Sequence, residues 1–547
     1  MSITSGTYFS AASSVLPARL PSGGNVAWTA AAWVKCAAPT NALGLEGVLE
    51  WGAVGDASGV ATTSALALTV GGQAPPANSG VVSTLAGGTS GHADGTGTNA
   101  KFLGAQGVAV IPSSGSVVVS EYGGNTIRLV TPAGVATTLA GHPGACGGSN
   151  GNAFAQDGVG TNAYFCSPRS VAVIPTSEVI VVADNLNNRI RLVTTQGAAP
   201  GTVTSLAGGG YDVGVLSGYA DSTGTSAVFN NPYGLALLPS GISSWPDSGF
   251  VIVADTNNHR IRIVTYPGGV VSTLAGGGSS TGTSAGFVDA TGTSALFNYP
   301  SEVAPLPLAA GATSCTIAVA DAYNHRIRLV TYPGGVVTTL AGSGAVYPAD
   351  TVYSDGIGVN ARFGRPFGLA VLLGSSAASG SIAVVDEYYQ ATIRIVTYPD
   401  GNVRTLAGLL DNAAYVDGTG TNARFGSPQK VAVNPLTGAL IATEYDGGIR
   451  TISVPPVLRA CDEAWHHVAL TYAPSASPYP LSAFLDGALS FQLPTTVTLP
   501  ARADSTLRIG WSGDTSTNGG SLFAGSVYDL RIYPRNLSAA EVAVLAL

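Results

Sequence analysis

The chain is poor in charge. Only 10% of its 547 residues are Asp, Glu, Lys or Arg, against roughly 25% in an average globular protein, and lysine occurs only at Lys35, Lys101 and Lys430. No basic run is present and the formal net charge is −8. The electrostatic footprint that nucleic acid or an anionic membrane demands is therefore missing. No apolar stretch is long enough to cross a bilayer as a helix, which predicts no direct membrane insertion. The first residues carry neither the basic region nor the continuous apolar core of a leader peptide. Either a leader is removed before this numbering or export takes another route, and a virion protein assembled in a host cytoplasm needs none. Cysteine occurs five times, which leaves at least one unpaired.

What fills the chain instead is a repeat. An Asp-Gly-x-Gly-Thr-x-Ala-x-Phe loop recurs in near-copies from Asp94, Asp157, Asp221, Asp289, Asp355 and Asp417. An Ile-Arg strand follows with its arginine at Arg128, Arg191, Arg262, Arg328, Arg394 and Arg450, and a Thr/Ser-Leu-Ala-Gly strand has its leucine at Leu85, Leu139, Leu206, Leu274, Leu340 and Leu406. Copies step by 54 to 71 residues, each with several short apolar runs split by Gly, Pro, Asn and Asp. Four-stranded sheets arranged in a ring need that pattern, so the repeat predicts a six-bladed β-propeller. The order of the pieces predicts its closure. The first Leu-Ala-Gly strand, Val81 to Gly87, precedes every blade, while the sixth unit stops after its Ile-Arg strand near Val454. The early strand should complete blade six and remove an exposed sheet edge.

Segments such as Val253-Ala-Asp-Thr-Asn-Asn-His-Arg-Ile-Arg-Ile-Val264 and Val319-Ala-Asp-Ala-Tyr-Asn-His-Arg-Ile-Arg-Leu-Val330 resemble NHL repeats. The resemblance covers residues 79 to 455. Blades one, five and six depart from the Asn-His-Arg core with Gly-Asn-Thr, Gln-Ala-Thr and Asp-Gly-Gly, predicting strands without that turn chemistry. Outside the repeat, Trp28 to Lys35, Val48 to Gly52 and Ala65 to Val70, then Glu463 to Tyr472, Ala483 to Gly487, Leu507 to Gly510 and Phe523 to Tyr533, resemble in order the strands of a laminin-G-like, concanavalin A-type jelly roll. Neither piece can bury both faces of a sandwich alone. The expected organisation is all-β: residues 1–78 and 456–547 form one two-sheet jelly roll, and a propeller of residues 79–455 is spliced into it. The two chain crossings predict a rigid composite body.

Cys146 and Cys166 bracket the insertion between blades one and two, and Cys36 and Cys461 lie in the two halves of the jelly roll. Both pairs are candidate disulfides, with buried reduced thiols as the alternative. Cys315 opens an apolar strand and reads as core. Asn536-Leu-Ser538 is a glycosylation acceptor pattern that matters only in a secreted protein.

The recurring residues have a structural reading. Each loop Asp can accept backbone hydrogen bonds, the glycines permit positive φ, and Phe102, Phe165, Phe229, Phe297, Phe363 and Phe425 can wedge between blades. Asp184, Asp255 and Asp321, taken with Arg189, Arg260 and Arg326, read as scaffold in the same way. One carboxylate per loop falls short of a calcium shell. The resemblance implies that any metal would sit where the innermost strands begin, at Gln106, Arg169, Tyr233, Ser301, Phe367 and Gln429, with Glu302 and Lys430 beside them. These cannot form a metal cage, so no cofactor, no metal and no catalytic residue is expected. His259 and His325 occupy repeat turns.

Binding is the expected activity. Acids stand beside tyrosines at the turns of one face: Glu121 with Tyr122, Asp321 with Tyr323, Glu387 with Tyr388 and Tyr389, and Glu444 with Tyr445. Tyrosine offers apolar area and a polar tip to sugars or proteins, while ordinary turn decoration is the competing reading. Low charge weakens repulsion between copies. The leading expectation is a non-enzymatic structural or adhesive protein, extracellular or on a cell or virion surface, that self-associates into a filament, hair or coat or contacts other surface proteins. The alternatives are a soluble glycan- or protein-recognition module and, last, a propeller lyase or hydrolase.

Overall fold

The computed structural model describes residues 80–454, apart from 145, 147–154, 176, 210–215, 240, 243–247, 310, 345–353, 374, 378, 388–390 and 410–413, together with the backbone of eight strands outside that range. Two compact units result, one of residues 1–78 and 455–547 and one of residues 79–454.

In the first unit, strands from both ends of the chain pair directly. Trp28–Cys36 lies antiparallel between His466–Tyr472 and Gly525–Tyr533, in a five-stranded sheet completed by Leu481–Leu485 and Ala488–Leu493. A second sheet joins Leu66–Leu68, Leu49–Gly52 and Thr506–Ile509. This unit is the jelly roll.

The second unit is a propeller of six antiparallel sheets, whose strands are named a to d from the channel outward. Blade three runs Pro232–Leu237, Gly249–Asp255, Arg260–Tyr266 and Val271–Gly276. The β-branched residues that dominate these runs suit a pleated surface buried on both sides. Val251, Ile252, Val253 and Ala254 are all fully buried because each face of the blade meets a neighbour. A separate apolar cluster fills each blade interface; Phe297, for example, packs between Ile252 and Ile261 of blade three and Val319 of blade four. Blade six takes its d strand, Val81–Gly87, from the front of the repeat, in register from Gly448↔Gly87 to Ser453↔Val81. The ring closes as the strand order predicts.

The repeated loop crosses from one blade to the outer edge of the next. In every copy the glycine three residues after the Asp is left-handed, for instance Gly97 at φ 57 and Gly420 at φ 56, a conformation that favours glycine. Its N–H reaches the carbonyl before strand d, from Gly97 to Gly134 at 2.9 Å and, across the closure, from Gly420 to Gly80 at 2.9 Å.

Each Ile-Arg arginine is fully buried, lies over the loop phenylalanine and joins two carboxylates. Arg262 contacts Asp221 of the loop at 2.7 Å and Asp255 at the end of strand b at 2.6 Å. Asp94, Glu121 and Arg128 repeat the arrangement, as do Asp417, Glu444 and Arg450. Asp184, Asp255 and Asp321 pair with Arg191, Arg262 and Arg328, although the arginine directly opposite each acid in the register is Arg189, Arg260 or Arg326, on the same face of the sheet. Arg260 and Arg326 instead reach the carbonyls of Ser279 and Ser343 at 2.6 and 2.8 Å. Glu121 and Glu444 are likewise internal, with 0% exposure, and do not present an acid beside Tyr122 or Tyr445.

The namesake turn residue clamps one blade to the next. Asn188 is left-handed at φ 51 and its Oδ1 accepts from the Asn231 N–H at 2.8 Å, while His259 at φ 53 accepts through Nδ1 from the Tyr299 N–H at 3.1 Å. Blade one keeps this chemistry, contrary to its Gly-Asn-Thr spelling: Asn125, at φ 58, accepts from the Ser167 N–H at 2.8 Å. An asparagine amide supplies the same acceptor as an imidazole.

Candidate binding site at the channel mouth

The carboxylate that ends strand b does a second job. Its outer oxygen takes the N–H of the loop leading into strand a, as from Asn230 to Asp255 and Asn298 to Asp321, both at 2.8 Å, and from Arg365 to Asp386 at 2.7 Å. The Phe-x-x-Pro corner that starts five of the six inner strands, with Ala105 in place of the proline in blade one, is thereby fixed at the mouth of the channel. Burial raises Asp184, Asp255, Asp386 and Glu444 above the ordinary carboxylate range against the opposing pull of their arginines, and raises Asp321 to about 6.

These corners enclose a cavity of about 400 Å³. Gln106, Arg169, Tyr233, Ser301, Phe367 and Gln429, the residues at which the inner strands begin, all line it. They form no metal cage: among the described residues no group of three His, Cys, Asp or Glu is placed to hold an ion. They form a polar belt with aromatic walls. Gln106 Nε2 donates to Gln429 Oε1 at 2.7 Å, and Gln429 Nε2 donates to Glu387 Oε1 at 3.0 Å. Tyr233 meets Phe367 edge-on at 5.2 Å between centroids. Arg169 lies over the rings of Tyr122 at 3.8 Å and Tyr233 at 4.4 Å, and its NH1 donates to the Tyr233 hydroxyl. Enclosure raises that hydroxyl above the usual phenol value.

Deeper in the channel, Lys430 of blade six is paired with Glu302 of blade four, and its Nζ also donates to the Ser301 carbonyl at 3.2 Å. Burial drives both toward their neutral forms, raising Glu302 and lowering Lys430. At the rim, Arg365 Nε donates to Glu387 Oε2 at 2.9 Å; burial works against the guanidinium, but Glu387 more than offsets it and Arg365 titrates higher than usual.

Of the tyrosines singled out from the sequence, Tyr323 and Tyr445 are exposed and line the cavity, and Tyr122 is half-buried beside Tyr445 at 6.1 Å. Tyr388 and Tyr389 lie outside the described residues, as do Cys461, Asn536 and the Cys36 side chain. Cys146 and Cys166 are joined, with Cα atoms 4.6 Å apart. Sequence reasoning missed Asn231, Tyr299, Arg365 and Ser427, which also line the mouth. A signal was available. The positions on either side of the corner proline change freely (Asn231 and Tyr233, Tyr299 and Ser301, Arg365 and Phe367) inside a repeat that is otherwise nearly constant.

Residues 237–264 match the NHL repeat family, and residues 411–543 match the concanavalin A-like lectin/glucanases superfamily, a match that begins within blade six. The chain is similar to NHL repeat-containing protein 2 of Gallus gallus, 26% identical over 313 residues that make up 54% of this chain and 39% of that protein. It is also similar to the Homo sapiens protein of that name, 34% identical over 118 residues, 22% and 14% of the respective lengths. The chain thus spans well under half of the curated relatives it matches. Among solved structures, an auxiliary nutrient binding protein from Bacteroides thetaiotaomicron aligns with 16% identity over 68% of this chain and 76% of its own, at a TM-score of 0.46. The virginiamycin B lyase of Staphylococcus aureus aligns with 12% identity over 64% and 94%, at a TM-score of 0.37. The chain carries NHL repeats on a six-bladed propeller together with a concanavalin A-like jelly roll, a combination suited to binding.

Proposed function

We propose that this protein is a non-enzymatic, adhesive recognition protein of a cell or virion surface that takes the end of a glycan into the mouth of its propeller. The observation that carries the reading is the convergence of all six inner strands on one cavity walled by tyrosine and phenylalanine and belted by amides. Flat aromatic faces suit the apolar faces of a sugar, and amides suit its hydroxyl groups. A volume of about 400 Å³ falls within the size of ordinary ligand pockets, about 300–1,000 Å³. The ion pairs nearby are already satisfied by one another, which fits holding a ligand better than transferring a proton.

Binding of the full chain to a glycan array tests this. Tyr323→Ala with Tyr445→Ala should abolish retention while leaving the melting temperature unchanged, since both rings are exposed. Undiminished retention would remove the mouth from consideration.

A second reading is favoured by the low charge, 10% of residues: the protein is a repeating subunit of a filament or coat. Electron microscopy of material from the native source, without denaturant, decides it. Ordered lattices support assembly, and dispersed particles reject it.

A further inference from the structure

The mouth holds one more positive charge than negative. Arg365 is neutralised by Glu387, and Lys430 by Glu302. Arg169 has no carboxylate partner among the described residues; it is held by the two tyrosine rings and by one hydrogen bond to a phenol, and its Nε is desolvated without an acceptor. Every Ile-Arg arginine of the scaffold, by contrast, has two acids. An uncompensated guanidinium in a partly dry cavity is costly to maintain unless something uses it. Its charge also presses on Lys430, whose ammonium burial already disfavours. In a chain with net charge −8, a cavity of opposite sign concentrates anions locally.

Resting on the glycan reading of the mouth, we propose that the sugar it binds is acidic: a hexose unit carrying an exocyclic anion that sits on the Arg169 guanidinium. Stacking between Tyr122 and Tyr233 fixes the plane of the guanidinium in advance, and a planar fork of donors fits a carboxylate or a sulfate ester through paired N–H bonds. The amides of Gln106 and Asn231, in the same wall, take the ring hydroxyls. Lysine offers the charge without the fork, so specificity belongs to arginine here.

Calorimetric titration of the full chain at about 50 mM salt, where screening is modest, with D-glucuronate, glucose 6-sulfate, glucose and acetate separates the cases. Both acidic sugars should bind about tenfold or more tightly than glucose, as a charge-assisted contact implies, and whichever binds more tightly identifies the anion. Arg169→Met should bring both down to the level of glucose, and Arg169→Lys, which keeps the charge should the methionine variant not fold, should retain only part of the preference. Equal binding of glucose and glucuronate, unmoved by either substitution, overturns the acidic preference yet leaves the mouth as a sugar site if Tyr323→Ala removes it. Acetate binding as tightly as glucuronate overturns the sugar, and binding of none of the four overturns this inference and the glycan reading together.

Discussion

Asp417 accepts hydrogen bonds from both the backbone N–H and the hydroxyl of Thr84, at 3.1 and 3.0 Å, across 333 positions of sequence. In the other blades the equivalent carboxylate reaches its strand d within the same unit, as Asp221 reaches Thr273 across 52 positions. Asp417→Ala should therefore loosen the ring where its ends meet. Because the carboxylate is half-exposed, the cost lies at the low end of the figure for hydrogen bonds to a charged group, about 1.5–3 kcal/mol. Hydrogen exchange should quicken in Val81–Gly87 and its partner strand Gly448–Ser453. Asp221→Ala should cost similar stability without that local opening. Equal exchange of Val81–Gly87 in the two variants would show that the closure does not depend on this contact.

The buried acids give stability an unusual pH slope. Burial, opposed by Arg328, raises Asp321 from 3.8 to about 6 in the folded protein. As pH falls, the folded chain therefore takes its proton before the unfolded chain does. The stability contributed by this group is complete below about 4 and declines as pH rises through about 6. Thermal melts should thus show a falling melting temperature between those values, and Asp321→Asn, which cannot titrate, should flatten the slope. An unchanged slope in the variant would assign the dependence to other groups.

Much of this architecture was legible because a repeat states its own rules six times. The Phe wedges, the left-handed loop glycine and the early strand of blade six all follow from spacing and residue type. What spacing could not reveal was which arginine meets which acid: the register sets Arg260 directly opposite Asp255, yet Arg262, two residues on along the same face of the sheet, makes the ion pair at 2.6 Å. The mouth was half legible. Its inner-strand positions could be counted, but Arg365 and Tyr299 enter it from the preceding corner, where sequence reasoning sees only a loop.

Cys315 should be chemically silent. It is 8% exposed at the start of strand b in blade four, and burial pushes its thiol up to about 11, so almost no thiolate exists near neutral pH. Maleimide labelling followed by peptide mass spectrometry should modify Cys315 only in denaturant. Cys146 and Cys166, joined in the structure, should label only after reduction. Modification of Cys315 in the native protein would mean that blade four opens more readily than its packing implies.

The pair of Lys430 and Glu302 spans the channel below the cavity, linking blades six and four. Isolating either charge there is expensive, because burial already raises the acid and lowers the base. Lys430→Met leaves an acid that must take up a proton, and should destabilise by about 3–5 kcal/mol, the usual cost of breaking a buried pair. Combining it with Glu302→Leu removes both charges and should recover most of that loss, since apolar replacements of whole buried pairs are often neutral. Urea denaturation of the two single variants and the double variant forms a complete cycle. Additive losses would show that the two side chains do not act as a pair, whereas strong recovery would show that folding does not require the bridge and that each charge is tolerated there only because the other is present.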